Sequence, residues 1–167
     1  MSISMYQASI PVFVRMLNNL NGIVYKGAAW AEARKIEPMV LLNSRLYPDM
    51  FPLVRQVQIA SDTAKGAAAR LAGLEPPTYD DNETSFAQLA ARIDRTITYL
   101  KTFEPGQIDG SEGRVIIVVS HGEELRYEGL SYLLNSRLPN FYFHVTTAYA
   151  ILRHSGVDIG KRDYLGS

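Results

Sequence analysis

Cysteine is absent from the 167 residues, so no disulfide, thiolate nucleophile, zinc knuckle or iron–sulfur cluster can be built from this chain. An excess of charge of one sign is absent too. Seventeen Lys and Arg balance seventeen Asp and Glu, and a formal net charge of zero leaves no field to draw the protein onto a nucleic-acid backbone. Long apolar runs are missing as well. The longest, Met39 to Leu42 and Val115 to Val119, fall far short of the ~20 residues a membrane-spanning helix needs. No basic stretch leading into an apolar core precedes the first charge at Arg15. Together these absences predict a cytoplasmic protein with neither nucleic acid nor membrane as partner. The chain also lacks G-x-S-x-G, a P-loop, a dinucleotide fingerprint and H-E-x-x-H, which removes the hydrolases, nucleotide enzymes and zincins that carry them.

What is present is 47% hydrophobic residues arranged with helical period. Composition and length fit one globular domain over residues 1–167. Tyr6, Ile10, Phe13, Val14, Leu17 and Leu20 predict a first helix. Pro11 leaves two starts open, at Ser4 through a capping box with Gln7, or at Ser9 with the proline in the first turn. An alanine-rich helical piece over 27–35 stops before Pro38, and a short segment over 39–42 runs into the turn Tyr47-Pro48-Asp49. Leu53, Val57, Ala60, Ala64, Ala67 and Leu71 define the second long helix, with Gly73 as its cap. Ser85 and Gln88 form a capping box for the third, along Phe86, Leu89, Ile93, Ile97 and Leu100. The β-branched run Arg114 to Val119, a turn at Ser120 to Glu123, and alternating Leu125 and Tyr127 predict a β-hairpin. The fourth helix follows, with Asn140 as its N-cap, Phe141, Val145, Ala148 and Leu152 as its inward stripe, and Gly156 as its stop. The fold expected is all-α, four long helices burying their stripes against one another, with a small inserted hairpin.

Chemistry could sit at three histidines. His121 falls in the hairpin turn and reads as a solvated loop residue. His144 lies roughly 70° from the centre of the fourth helix's inward stripe, at the edge of the core. His154 lies about 15 Å further along the axis on the other side, so these two cannot share one ion on a continuous helix. On the second helix, Arg55, Gln58, Asp62 and Lys65 form an outward stripe that reads as a solvated face with one ion pair, or as a partner surface, while Gln56 borders the core. The doublets Asp80-Asp81 and Glu123-Glu124 fall in expected loops.

Two segments carry a resemblance. Arg45-Leu46-Tyr47-Pro48-Asp49-Met50-Phe51-Pro52-Leu53-Val54-Arg55-Gln56-Val57-Gln58-Ile59-Ala60-Ser61-Asp62, continuing to Gly73, and Leu138-Pro139-Asn140-Phe141-Tyr142-Phe143-His144-Val145-Thr146-Thr147-Ala148-Tyr149, continuing to Gly166, resemble the signatures of a bacterial domain-of-unknown-function family. That family is grouped with the DinB/YfiT-like metalloenzyme superfamily, and the likeness spans the whole chain. It implies a four-helix bundle with a crossover connection, often a homodimer. Relatives in the superfamily hold a divalent ion with one histidine from the second helix and an H-x-x-x-H pair on the last long helix, and some use it to activate low-molecular-weight thiols. Here His144 matches the first of that pair, but Ala148 stands four residues later and the second helix has no histidine. The expected metal site is therefore degenerate.

Three functions compete. The first is a metal-free bundle without cofactor that binds a small ligand, or acts through its dimer, at the ends of the second and fourth helices. Its candidate ligand-binding residues are His144, Gln56, Tyr47, Asp49 and Tyr149, with Phe51 and Phe141 as further aromatic lining. The second is a thiol-dependent transferase or hydrolase-like enzyme with a divalent metal at His144, completed by Gln56, a carboxylate or a partner subunit. The third is a regulatory interaction module using the Arg55 to Lys65 stripe. His144 is the residue singled out. An expected helix N-terminus one turn away and partial burial both act to lower its pKa.

Overall fold

The structure, a computed structural model, describes residues 2–120 and 122–166. His121 lies outside the described residues. Four long helices form the bundle: α1 (Met5–Ala33), α3 (Leu53–Leu71), α4 (Phe86–Leu100) and α7 (Leu138–His154). Short helices α2 (Pro38–Leu42), α5 (Pro105–Ile108) and α8 (Lys161–Leu165) close connections, and strands β1 (Val115–Ser120) and β2 (Glu123–Glu128) make an antiparallel hairpin. α1 packs chiefly on α4, and α3 on α4 and α7. The long helices consecutive in the chain, α1 and α3, therefore sit diagonally across the bundle, and the connection between them is a crossover. Among the described residues no helix is long and apolar enough to cross a membrane.

The start of α1 is settled by its cap. Ser4 accepts from the Gln7 amide and the Gln7 side chain accepts from the Ser4 amide, so the helix begins there and carries Pro11 inside it. The separate piece expected over 27–35 is the end of this same helix. Asn21 Nδ2 donates to Asp94 Oδ1 on α4 at 2.8 Å, and the backbone continues unbroken to Ala33. α3 follows its apolar register, with Leu53, Val57, Ala60, Ala64, Ala67 and Leu71 wholly buried. Gly73 takes φ +75°, and the Leu74 amide returns to the Ala69 carbonyl, the bond of a left-handed helix stop. α4 is capped by Ser85, but the Gln88 side chain reaches back to the Thr84 amide rather than completing the box on Ser85.

The start of the fourth long helix differs from expectation. Helical backbone begins at α6 (Gly129–Ser131), passes through a π-helical segment over Tyr132–Arg137, where the Leu138 amide bonds to the Leu133 carbonyl, and runs directly into α7. Asn140 is thus inside a helix and is not its N-cap; its Nδ2 donates to Thr63 Oγ1 on α3 at 2.9 Å. Glu123 and Glu124 open β2 rather than lying in a loop.

The polar face of α3 is also corrected. Gln58 and Lys65 are buried, because the segment between α3 and α4 folds back over them. Arg92 on α4 lies at the centre of this region. It contacts Asp62 at 2.8 Å, Asp81 at 3.0 Å and Glu83 at 2.9 Å, while Lys65 pairs with Asp62 and Arg55 with Asp81. Tyr79 covers the cluster with its ring under the charges of Lys65, Arg92 and Arg95. The stripe expected to be solvated or free for a partner is partly covered, with Gln58 and Lys65 buried and Arg55 and Asp62 left partly exposed in the ion-pair cluster.

Candidate functional site

α3 and α7 are the most closely packed pair of long helices, and their facing sides carry Gln56 and His144. His144 Nδ1 lies 2.7 Å from Gln56 Oε1, and Gln56 Nε2 donates to the backbone carbonyl of Phe51 at 2.9 Å. The second bond decides the first. A carbonyl only accepts, so the amide nitrogen of Gln56 must face Phe51 and its oxygen must face His144. That oxygen can only accept, so Nδ1 carries the ring proton and the lone pair of a neutral ring is on Nε2.

His144 is only 7% exposed. Burial, with the positive charge of Arg55 nearby, pushes its pKa down to about 4. The direction matches the sequence reading, but one of its causes does not. The helix N-terminus is not one turn away, since helical backbone begins at Gly129, about four turns upstream, where its dipole has no reach.

The remaining candidates are placed differently. Tyr47 and Asp49 are exposed in the turn closed by the Met50 amide on the Tyr47 carbonyl. This loop is pinned to the start of α3 by the Leu53 amide on the Ser44 carbonyl. Phe51 is half exposed beside Arg55, whose guanidinium is 6.0 Å from its ring. Tyr149 is half-buried on another side of α7, its ring 6.1 Å from that of Tyr164 on α8. Phe141 belongs to the core, edge-on to Phe13 at 5.0 Å. The structure joins His144 to Gln56 by a hydrogen bond, and among the described residues no side-chain hydrogen bond ties Tyr47, Asp49 or Tyr149 to that pair.

Sequence reasoning passed over Phe143. Its ring stands edge-on to the His144 imidazole at 5.2 Å, and it lines an apolar groove of about 450 Å³ with Leu46, Met50, Pro139 and Tyr142. An aromatic residue next to a histidine read at the edge of the core, off the inward stripe, was the available signal. The Phe51 carbonyl, which fixes the tautomer, has no sequence signal at all.

A divalent ion of the kind held by the superfamily does not fit these residues. Among the described residues no group of three His, Asp or Glu side chains is placed to hold a metal ion. The position four residues after His144 is Ala148, fully buried, and Gln56 Oε1 is already engaged by the imidazole.

The helical bundle, its crossover and its inserted hairpin define a DinB-like protein. A crystal structure of a DinB family member from Shewanella denitrificans is similar to this chain at a TM-score of 0.87 and 45% identity, covering 97% of this chain and 92% of that one. The chain belongs to the DUF1993 family, a domain of unknown function whose model matches residues 5–165. No curated protein matches it.

Proposed function

We propose that this protein is a metal-free small-ligand-binding member of the DinB-like class, with His144 Nε2 as the hydrogen-bond acceptor and the Phe143 groove as the apolar wall. The reading rests on one observation, the Gln56 amide locked between the Phe51 carbonyl and His144 Nδ1. A buried imidazole held neutral and in one tautomer is a preorganised acceptor. With a pKa of about 4 it is a weak base, so it favours binding a donor over removing a proton at neutral pH. The ligand class is a hydroxylic or weakly acidic compound with an apolar body, because His144 offers an acceptor and Phe143, its ring against the imidazole, continues into a groove that is mostly aromatic and aliphatic apart from Thr146 and Thr147.

Phenol is the simplest probe. Titrating it while following the His144 ring by NMR should give a saturable shift that disappears in Phe143→Ser or weakens sharply. No shift at millimolar phenol would contradict the proposal. Elemental analysis of protein purified without chelators provides the second test: about one zinc or nickel per chain, lost with His144→Ala, would replace this reading with the metalloenzyme one.

A further inference from the structure

The two strands of the hairpin are made of opposite materials. β2 carries Glu123, Glu124, Arg126 and Glu128, whereas β1 begins with five β-branched apolar residues, Val115 to Val119, and has no charge at all. Each is the edge of a two-stranded sheet, so each offers a row of unpaired amides and carbonyls. Exposed edges are ordinarily protected by charge, proline or a bulge. β2 has the charges. β1 has neither charge nor proline, and its register runs without a bulge from Val115 opposite Glu128 to Ser120 opposite Glu123. Ile116 is turned into the core, but Val115, Ile117 and Val119 on the outer face are 63%, 44% and 68% exposed. Beside this edge an open groove of about 670 Å³, lined by Arg70, Leu74 and Arg114, leaves room for another strand.

We propose that β1 pairs antiparallel with β1 of a second copy about a two-fold axis, giving one continuous four-stranded sheet across a homodimer. Symmetry selects this occupant. A two-fold perpendicular to the sheet keeps both outer faces on one side, so outer residues meet only outer residues. Centred on Ile117, the pairing sets Val115 against Val119 of the partner subunit and Ile117 against its own copy. The exposed apolar side chains then form one stripe with no charge in it. The charged β2 strands become the two outer edges, where charge prevents further addition. Pairing β1 with a neighbour's β2 instead would repeat head to tail without closing. Strand pairing alone covers less than the ~800 Å² per partner of a standard interface, so the dimer is weak and dependent on concentration.

The test is sedimentation velocity on the full chain over a concentration series. The expected result is a monomer–dimer equilibrium that Ile117→Lys weakens at least tenfold and Phe143→Lys leaves unchanged. Because the chain has no cysteine, Ile117→Cys supplies a readout that does not depend on the lysine variant folding. On mild oxidation it should link as a disulfide dimer, since directly opposed residues in an antiparallel pair lie within disulfide reach. Mixing Ile117→Cys with Val115→Cys or Val119→Cys reads the neighbouring registers, and linkage in either also supports pairing through β1. A wild-type chain that stays monomeric throughout overturns the proposal. So does a dimer lost with Phe143→Lys and retained with Ile117→Lys.

Discussion

Arg92 and His144 are both almost fully buried basic side chains facing α3, one from α4 and one from α7, and the protein treats them in opposite ways. Burial works against the charge on Arg92, but the hydrogen bond to Glu83 and the charges of Asp62, Glu83 and Asp81 outweigh it and hold the guanidinium above its ordinary pKa. His144 receives no carboxylate. Its partner is a neutral amide, burial goes uncompensated, and the charge that acts on it is the like-signed Arg55. A buried base can thus be kept charged by surrounding it with carboxylates or kept neutral by denying it anions. The first produces a clamp with no acceptor left over, and the second leaves a lone pair for something else.

If the Arg92 cluster is the clamp, Arg92→Ala should have the largest effect on stability of any single change considered. Removing it strands Glu83, which is nearly buried, and frees the cover over Gln58 and Lys65; a loss of about 3–5 kcal/mol is expected in urea denaturation. Arg92→Lys, which keeps the charge without the forked geometry, should fall between that variant and the wild type. An equal loss for both would mean that shape, not charge pairing, holds the loop.

The neutral side of the comparison predicts a dependence on pH. The pKa of His144 is lower in the folded protein than its ordinary value of 6.5, so between pH 6.5 and about 4 the unfolded chain binds a proton that the folded one does not. Stability is therefore full above pH 6.5 and falls as the solution is acidified through that window, by an amount on the order of 3 kcal/mol. His144→Gln should flatten this part of the profile while retaining the fold, as followed by thermal melts at a series of pH values.

A smaller effect sharpens the account of how α7 is placed. Asn140→Ala should cost about 1 kcal/mol, through the lost bond to Thr63 and not through capping. A double-mutant cycle with Thr63→Val separates the two, since a coupling near 1 kcal/mol is expected for the bond and none for a cap. The smallest effect belongs to Lys26–Asp163, an exposed pair joining α1 to α8. Its hydrogen bond lowers the Asp163 pKa, yet Lys26→Ala should change stability by well under ~1 kcal/mol.

These contrasts mark what a sequence can convey. The register of α3, the Gly73 stop and the hairpin were legible, because each depends on residues within a few positions of one another, whereas the Ser4 cap was one of two starts that Pro11 left open. The continuity of α1 between Leu20 and the alanine-rich piece was not legible, because the contacts along that stretch, such as Asn21 with Asp94, come from another helix. Asn140 was misread for the same reason in reverse, as a residue with capping chemistry whose helix had already begun upstream. The polar stripe on α3 looked solvated because periodicity reports which way a residue points and not what folds back over it. At the candidate site the pairing of Gln56 with His144 was half visible, since both bordered their stripes, but the tautomer depends on a backbone carbonyl that no side-chain pattern encodes.

The central claim is that His144 is a neutral, Nδ1-protonated imidazole whose Nε2 is free to accept. Nitrogen-15 correlation spectra of the histidine rings, recorded across a pH titration with His144 assigned by its absence in His144→Gln, test it most directly. The account predicts a proton on Nδ1 at neutral pH and a titration near pH 4. A proton on Nε2 at neutral pH, or a midpoint at or above the 6.5 of an ordinary histidine, would contradict it.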